Sequence, residues 1–264
     1  MYSESNKIEI SASIVLYKNN VDLLKKTISS FLEVTLPKKL FLIDNSPTDK
    51  LRDLFRSAEI EYIFLNRNIG FGAAHNLVIS KINHLSKYHL ILNPDVSFDP
   101  QVINNLINVL ERNIAIALIA PKIKYLNGDH QYSCRRYPSF LELFVRRVSL
   151  LQYIFTDVIA NGEYRDRDLT IPFFAEYLSG CFQLFQTKDF VKIYGFDERY
   201  FLYMEDVDIC KKIDLIQKKK LYYPSEFIYH KFEKGSSKNI KLFFYHIVSV
   251  FKYFYKWKIA KKFT

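Results

Sequence analysis

From residue 8 to residue 113 the chain alternates between short runs suited to buried strands and longer runs suited to helices, and this limits its fold more than any other feature. IEISASIVL (8–16) reads as a buried strand, and NVDLLKKTISSFLEV then sets Leu23, Leu24, Ile28, Phe31 and Leu32 on one helical face. LFLID ends at Asp44 and is followed by the turn-rich NSPTD. IEYIFL (60–65) reads as strand, GAAHNLVISKI (72–82) as helix, YHLILN (88–93) as strand and PQVINNLINVLERN (100–113) as helix. Strands that alternate with helices imply βαβ units and a mostly parallel sheet flanked by helices. Beyond Pro121 the pattern changes. Asn127-Gly128 is a hairpin signal, residues 137–170 are irregular with one helix, and FFAEYLSGCFQLF (174–186) reads as two strand-like runs broken at Ser179-Gly180.

A chain of 264 residues buries a full core, as one large domain or one domain with an appendage. With 49% hydrophobic and 16% aromatic residues it is too rich in core formers for disorder, and it has no long uncharged run of the kind that spans a bilayer. The start, MYSESNKIEIS, has no basic region, apolar stretch or cleavage site of a signal peptide, so a cytoplasmic protein is expected. Cys134, Cys181 and Cys210 are far apart and odd in number, which speaks for reduced structural thiols and against a disulfide framework or zinc ribbon.

The net charge of +10 favours a polyanionic partner: nucleic acid, an anionic membrane or a phosphorylated substrate. No recognised nucleic-acid motif is present. Much of the charge lies in residues 241–264, where Lys241, Lys252, Lys256, Lys258, Lys261 and Lys262 stand without an acid. Helical spacing there puts Phe243, Ile247, Val250, Phe251, Phe254 and Trp257 on one face and Lys241, Tyr245, Ser249, Lys252 and Lys256 opposite. Such a helix either lies in the interface of an anionic bilayer or docks on the body of the protein by its apolar face.

Parallel α/β sheets bind ligands beyond the carboxyl ends of their strands, and Asp44 and Asp95 both sit at such ends. The GFG at 70–72 is not a dinucleotide fingerprint, because it follows the third strand and lacks the third glycine; no P-loop occurs either. In LILNPDVSFDP, Pro94 stops the strand and leaves Asn93 and Asp95 on a fixed loop. One carboxylate at such a place suits Mg²⁺ or Mn²⁺, which fill their shells with phosphate oxygens and water. His230 ends another strand, where a satisfied polar role is commoner than ligation. In YFLYMEDVDICKK (200–212), Glu205, Asp206 and Asp208 crowd behind an apolar run. They either favour the positive end of a helix that buries Ile209, Ile213 and Ile216, or do chemistry.

Taken together, these stretches resemble the inverting nucleotide-sugar transferases of glycosyltransferase family 2, with the GT-A fold. The resemblance runs from Ile8 to about Trp257 through SIVLYKN (13–19), LIDNSPTD (42–49), NRNIGFGAAHN (66–76), LNPDV (92–96), RRYP (135–138), LSGCFQLF (178–185), GFDERYFLYMEDVDIC (195–210) and YHKFEKGSS (229–237). RRYP and the long motif before Cys210 look most like the bacterial rhamnosyltransferases of O-antigen and cell-wall polysaccharide synthesis.

The resemblance implies an α/β GT-A fold, a Rossmann-like, mostly parallel central sheet flanked by helices. Residues 1–237 would form the catalytic domain and 238–264 a basic amphipathic C-terminal helix, membrane-associating or docked. It implies a single displacement in which Asp206 is the base and Glu205 holds the acceptor or tunes that base, while Asp208 reads as a helix-turn acid. Asp95 and His230 match the metal-binding positions for Mg²⁺ or Mn²⁺, with Asn93 where many relatives carry a second aspartate, which weakens the site. Asp44 would face the nucleobase or ribose with Tyr17 flanking the base. Arg67, Asn68 and Asn76 would touch base, ribose or phosphate, and Gly180 would line the substrate site. Arg135 and Arg136 suit phosphate or acceptor binding, or equally a surface ion pair. The implied donor is dTDP-L-rhamnose, or else a UDP-sugar such as UDP-galactofuranose. The implied acceptor is a lipid-linked glycan at the cytoplasmic face of the bacterial inner membrane, with no nucleic acid as partner. The rival reading is a non-catalytic protein that binds nucleic acid or an anionic surface.

Overall fold

The computed structural model describes residues 8–231 and 239–260. The 237/238 boundary, most of YHKFEKGSS, and Lys261 and Lys262 lie outside the described residues. Strands β1 (Ile8–Leu16), β2 (Lys38–Asp44), β3 (Ile60–Phe64) and β4 (Ser86–Leu92) stand in the order β3-β2-β1-β4, all parallel. The expected alternation is realised by α1 (Val21–Leu32), α2 (Phe71–Asn76), α3 (Ile79–Leu85) and α4 (Gln101–Arg112). Asn20 caps α1, its side-chain oxygen accepting from the backbone N–H groups of Asp22 and Leu23 at 3.0 and 3.1 Å. The single helix expected over 72–82 is two helices, α2 and α3, with a break at Leu77 and Val78.

After the short β5 (Val96–Ser97) comes β6 (Ile116–Lys124), a strand that runs straight through Pro121 where the sequence pattern only signals a change. The proline is accommodated by a partner strand that bends. In β12 (Lys219–His230), Tyr223 pairs with Pro121 and the register shifts between Tyr223 and Phe227, so the missing N–H falls at an irregularity. Asn127-Gly128 does close a hairpin, from β6 to β7 (His130–Gln131), with Gly128 at φ +92°. β8 (Cys134–Arg135) follows. Residues 137–170 hold three short helices instead of one: α5 (Phe140–Val145), α6 (Ser149–Ile154) and α7 (Thr156–Gly162). The next stretch has three strand runs rather than two, β9 (Phe173–Phe174), β10 (Tyr177–Leu178) and β11 (Phe182–Gln186), before α8 (Thr187–Lys192) and α9 (Glu205–Leu215). β11 inserts antiparallel between β4 and β6, β12 runs parallel to β6, and β5 closes the far edge. The sheet thus has a parallel half and a mixed half, joined at β4 and β11.

Apolar clusters cover both faces of the sheet. Ile10, Ala12, Ile14 and Leu16 of β1 face α1 and α4, whereas Val15, Phe41, Ile43 and Ile91 face α2, α3, α8 and α9. A polar thread crosses the second face. Ser11 Oγ lies 2.7 Å from His89 Nδ1, His89 Nε2 lies 2.9 Å from Ser13 Oγ, and Ser13 Oγ lies 2.7 Å from His75 Nδ1, all fully buried. Burial lowers the pKa of His89 to about 3; burial, and then the neighbouring His89, depress His75 as well. A third cluster joins the last helix, α10 (Ile240–Ala260), to the body: Val250, Tyr253 and Trp257 pack on Tyr200, Met204 and Val207.

Candidate active site

The acidic segment enters α9 through a bend that few residues adopt. Tyr203 and Met204 are both left-handed, at φ +71° and +67°, a conformation that costs a non-glycine residue on the order of 1–3 kcal/mol. Packing holds it from two sides. Gly70, at φ +95°, lets α2 approach so closely that a β-carbon there would stand 2.5 Å from the Phe201 carbonyl, and Phe71 N–H donates to that carbonyl at 3.0 Å. From the other side, Ser249 Oγ of α10 donates to the Leu202 carbonyl at 2.9 Å, and the rings of Tyr245 and His246 pack against Phe201 and Tyr203 at centroid distances of 4.5 and 5.2 Å, the first pair tilted and the second edge-on.

The bend delivers Glu205 and Asp206 to the positive end of α9. Asp206 remains partly exposed; its Oδ2 accepts from Gly180 N–H at 3.2 Å and its Oδ1 from Val207 N–H at 2.9 Å. Glu205 is 6% exposed, and its Oε2 has no partner among the described residues. Burial, and after it the charge of Asp206, push Glu205 up to about 8. Asp206 is also raised by burial, against the pull of the two N–H groups and Arg135. The two acids titrate as an interacting pair, and burial holds the proton of Glu205 up toward neutral pH. Asp208 has a different task. Fully buried, it accepts from two consecutive residues of α10, Lys256 Nζ at 2.7 Å to each oxygen and Trp257 Nε1 at 2.8 Å, with Tyr200 OH at 3.2 Å.

At the other end of β11's approach, Asp95 and His230 meet. Strand pairing sets His230 opposite Val96, which brings Nε2 to 3.4 Å from Asp95 Oδ1, while Nδ1 lies 3.2 Å from Gln131 Oε1. Burial opposes a charge on His230, but the Cys181 sulfur and the Asp95 carboxylate outweigh it and raise the pKa to about 10. Among the described residues no group of three or more His, Cys, Asp or Glu could enclose an ion. One carboxylate and one imidazole fit a cation that takes its remaining ligands from a diphosphate and water, with Gln131 orienting the imidazole. Asn93 donates its N–H to the Cys181 carbonyl at 2.9 Å. Consecutive residues, Gly180 and Cys181, therefore touch the two halves of the site, and the Asp206 and Asn93 ends stand on the order of 10 Å apart.

The other expected residues are placed less uniformly. Tyr17 is exposed at the carboxyl end of β1, and Arg67 is exposed beside Asn68. Asp44 is fully buried, accepting from Ser46 N–H at 2.8 Å and from Tyr62 OH. Asn68 Oδ1 accepts from Asn45 and from Gly70 N–H, which fixes the loop that admits α2. Asn76 spends its amide on both backbone groups of Phe196 and on Glu198, stapling α2 to the 195–198 turn. Arg135 donates to the Tyr132 carbonyl at 3.0 Å and faces Asp206 only through its field. Arg136 is held by both oxygens of Asp166 at 2.9 and 2.7 Å and by the Asn161 carbonyl, so the ion-pair alternative describes it in this structure.

The sequence reading missed the Asp208–Lys256–Trp257 contact, and its division of the last helix holds only in part: Val250 and Trp257 of the expected apolar face do pack on the body. Ser249, assigned to the polar face, is buried, and Phe251, assigned to the apolar face, is 60% exposed. The signal was weak, since α10 carries large apolar residues on most of its circumference.

The family model described as "Glycosyl transferase family 2" matches residues 13–193, which ends before Asp206 and His230. The chain is 25% identical over 248 residues to "Rhamnosyltransferase WbbL" of Escherichia coli K12, covering 91% of this chain and 90% of that protein. It is 28% identical over 210 residues to "N-acetylglucosaminyl-diphospho-decaprenol L-rhamnosyltransferase" of Mycobacterium tuberculosis, covering 74% and 67%. A crystal structure of GalNAc-T7 with UDP, GalNAc and Mn²⁺ superposes with a TM-score of 0.64 at 16% identity. That match covers 87% of this chain but spans only 44% of the other, and it speaks for the GT-A fold alone.

Proposed function

This chain belongs to glycosyl transferase family 2 and is a glycosyltransferase, and from that premise we propose an inverting reaction in which Asp206 takes the proton of the acceptor hydroxyl. The acceptor oxygen attacks the anomeric carbon, the bond from that carbon to the diphosphate breaks, and the nucleoside diphosphate leaves with the electron pair. The observation that carries the reading is the Gly180–Cys181 step. Through it a partly exposed carboxylate of raised pKa at the start of α9 is tied to the loop after β4, where Asp95 meets His230 at the end of β12.

Each side chain then has a task. Asp206 is reachable and basic enough to accept a proton, a contribution of about 10²–10⁴-fold. Glu205, protonated near neutrality with one oxygen unpartnered, holds an acceptor hydroxyl. Asp95 and His230 would hold a divalent cation, which supplies neutralisation of the departing diphosphate. Tyr17, Asp44, Arg67, Asn68, Asn76 and Asn93 shape the donor pocket, the buried ones by fixing its loops. Arg135, with Gly180, borders the acceptor side, and Arg136 steadies the segment beside it.

The two relatives named above support L-rhamnose from dTDP-L-rhamnose as the transferred sugar, and the decaprenol in one of their names supports a lipid-linked glycan as acceptor. No helix among the described residues is long and apolar enough to cross a membrane. We place the enzyme at the cytoplasmic face of the bacterial inner membrane as a peripheral protein, with residues 1–237 as the catalytic unit and the C-terminal helix as its docked extension. Melting-temperature shifts across dTDP- and UDP-sugars, followed by nucleotide release with acceptor present, test the donor. A shift with dTDP-L-rhamnose that grows with Mn²⁺ or Mg²⁺ is expected. A shift confined to UDP-sugars overturns the rhamnose assignment, and equal activity in excess chelator overturns the metal assignment.

A further inference from the structure

The last helix has two apolar stripes, and only one of them is used by the fold. At about 100° per residue, Ser249, Val250, Tyr253 and Trp257 group on the side packed against the body. Phe244, Val248, Phe251 and Tyr255 group on the opposite side. There Phe244 and Phe251 are each 60% exposed and Tyr255 is 70% exposed. The stripe does not end at the helix edge. Phe140 of α5 lies 6.2 Å from the Phe251 ring, and it and Phe144 are themselves more than half exposed. A contiguous apolar surface of this kind calls for a partner.

Charge identifies the partner. Lys241 and Lys252 flank one edge of the stripe and Lys258 the other, all exposed, and residues 240–260 contain no acid. In residues 139–155 the single acid, Glu142, is buried and paired with Arg146 at 2.9 Å. We propose that the outer stripe of α10 and the adjoining face of α5 seat the protein on an anionic lipid bilayer. Lysines bordering apolar and aromatic side chains suit the headgroup boundary, where the stems follow the apolar surface and the ammonium groups meet anionic headgroups. The same helix holds the acidic loop on its inner side through Tyr245 and Ser249. The carboxylates therefore stand about one helix diameter, roughly 10 Å, from the seated face. This deepens the lipid-linked acceptor reading and rests on it for its purpose.

The test is co-sedimentation of the full chain with vesicles of phosphatidylcholine alone or mixed with phosphatidylglycerol. Binding is expected to the mixed vesicles only and to weaken in raised salt. Phe244→Ser and Phe251→Ser are each expected to weaken it about tenfold, and Lys241→Gln and Lys258→Gln about fivefold each. The melting temperature and turnover of a soluble acceptor should stay unchanged. Vesicle binding that the four substitutions leave intact overturns the proposal. So does a wild-type protein that ignores the mixed vesicles yet glycosylates a lipid-linked acceptor in detergent. A dimer in sedimentation velocity that the same substitutions dissolve reassigns the face to a second copy of the chain. Vesicle binding as described with no turnover of lipid-linked acceptors leaves the surface standing and removes the acceptor reading instead.

Discussion

Outside its own helix, Asp206 meets the backbone of Gly180. Gly180 presents its N–H to the carboxylate, and a β-carbon added at Gly180 would lie 3.1 Å from the Asp206 β-carbon, tight enough to push the first turn of α9 outward by a few tenths of an ångström. Gly180→Ala is therefore expected to lower turnover by about tenfold with donor affinity nearly unchanged, because misplacement of a catalytic group is felt in the transition state. Steady-state kinetics beside a donor titration checks this, and equal losses in both would contradict it. The motif around Glu205 and Asp206 was legible in the sequence as a cluster of acids behind an apolar run. Their division of labour was not, since burial of Glu205 and exposure of Asp206 depend on the left-handed pair Tyr203 and Met204. Nothing in those residue types demands positive φ.

The last helix is where element and site meet. Lys256 neutralises Asp208 inside the protein, and Trp257 both packs and donates to it. Trp257→Ala is expected to cost about 3–5 kcal/mol by cavity formation and loss of the donor. Lys256→Met should cost about as much by stranding a buried carboxylate, with much of it restored in the Lys256→Met, Asp208→Asn double variant. Chemical denaturation of the wild type, Trp257→Ala, Lys256→Met, Asp208→Asn and the double variant measures this; additive losses in the double variant would contradict a coupled pair. Helices such as α1 and α4, with one apolar face, and strands such as β1 and β4, buried along most of their length, were readable as short runs rich in core formers. α5 to α7 were not, because six or seven residues barely complete two turns, and the seat of α10 was not, because the helix is apolar on two sides.

Across the whole molecule, the parallel half of the sheet carries the buried Ser11–His89–Ser13–His75 thread, which reaches β4 at the border with the mixed half. Both histidines fold with pKa values below their unfolded value of about 6.5, so the native state binds fewer protons than the unfolded one. Their contribution is present above that pH and fades as pH falls below it, by up to about 1.4 kcal/mol per pH unit for each histidine. Glu205, raised in the fold, acts in the opposite sense between its unfolded value and about 8. The measurement is therefore a difference. The melting temperature of a His75→Asn, His89→Asn variant should fall less than that of the wild type between pH 7 and pH 5 (about one to two units below neutrality, where histidine titrates), and parallel curves would contradict it. The alternation told the sequence reader which half-sheet comes first, but not that β11 turns antiparallel between β4 and β6, because strand direction leaves no mark on residue type. That reversal is what lets Gly180 and Cys181 join the halves, and in the reaction proposed above the donor binds mainly to the first half while the second accepts the proton. Asp206→Asn tests this division most directly, by single-turnover transfer and donor titration on the same preparation. The account predicts donor binding within about threefold of wild type and a transfer rate reduced by about 10²-fold or more, since only proton acceptance is lost. Transfer at the wild-type rate would contradict it and make Glu205 the base.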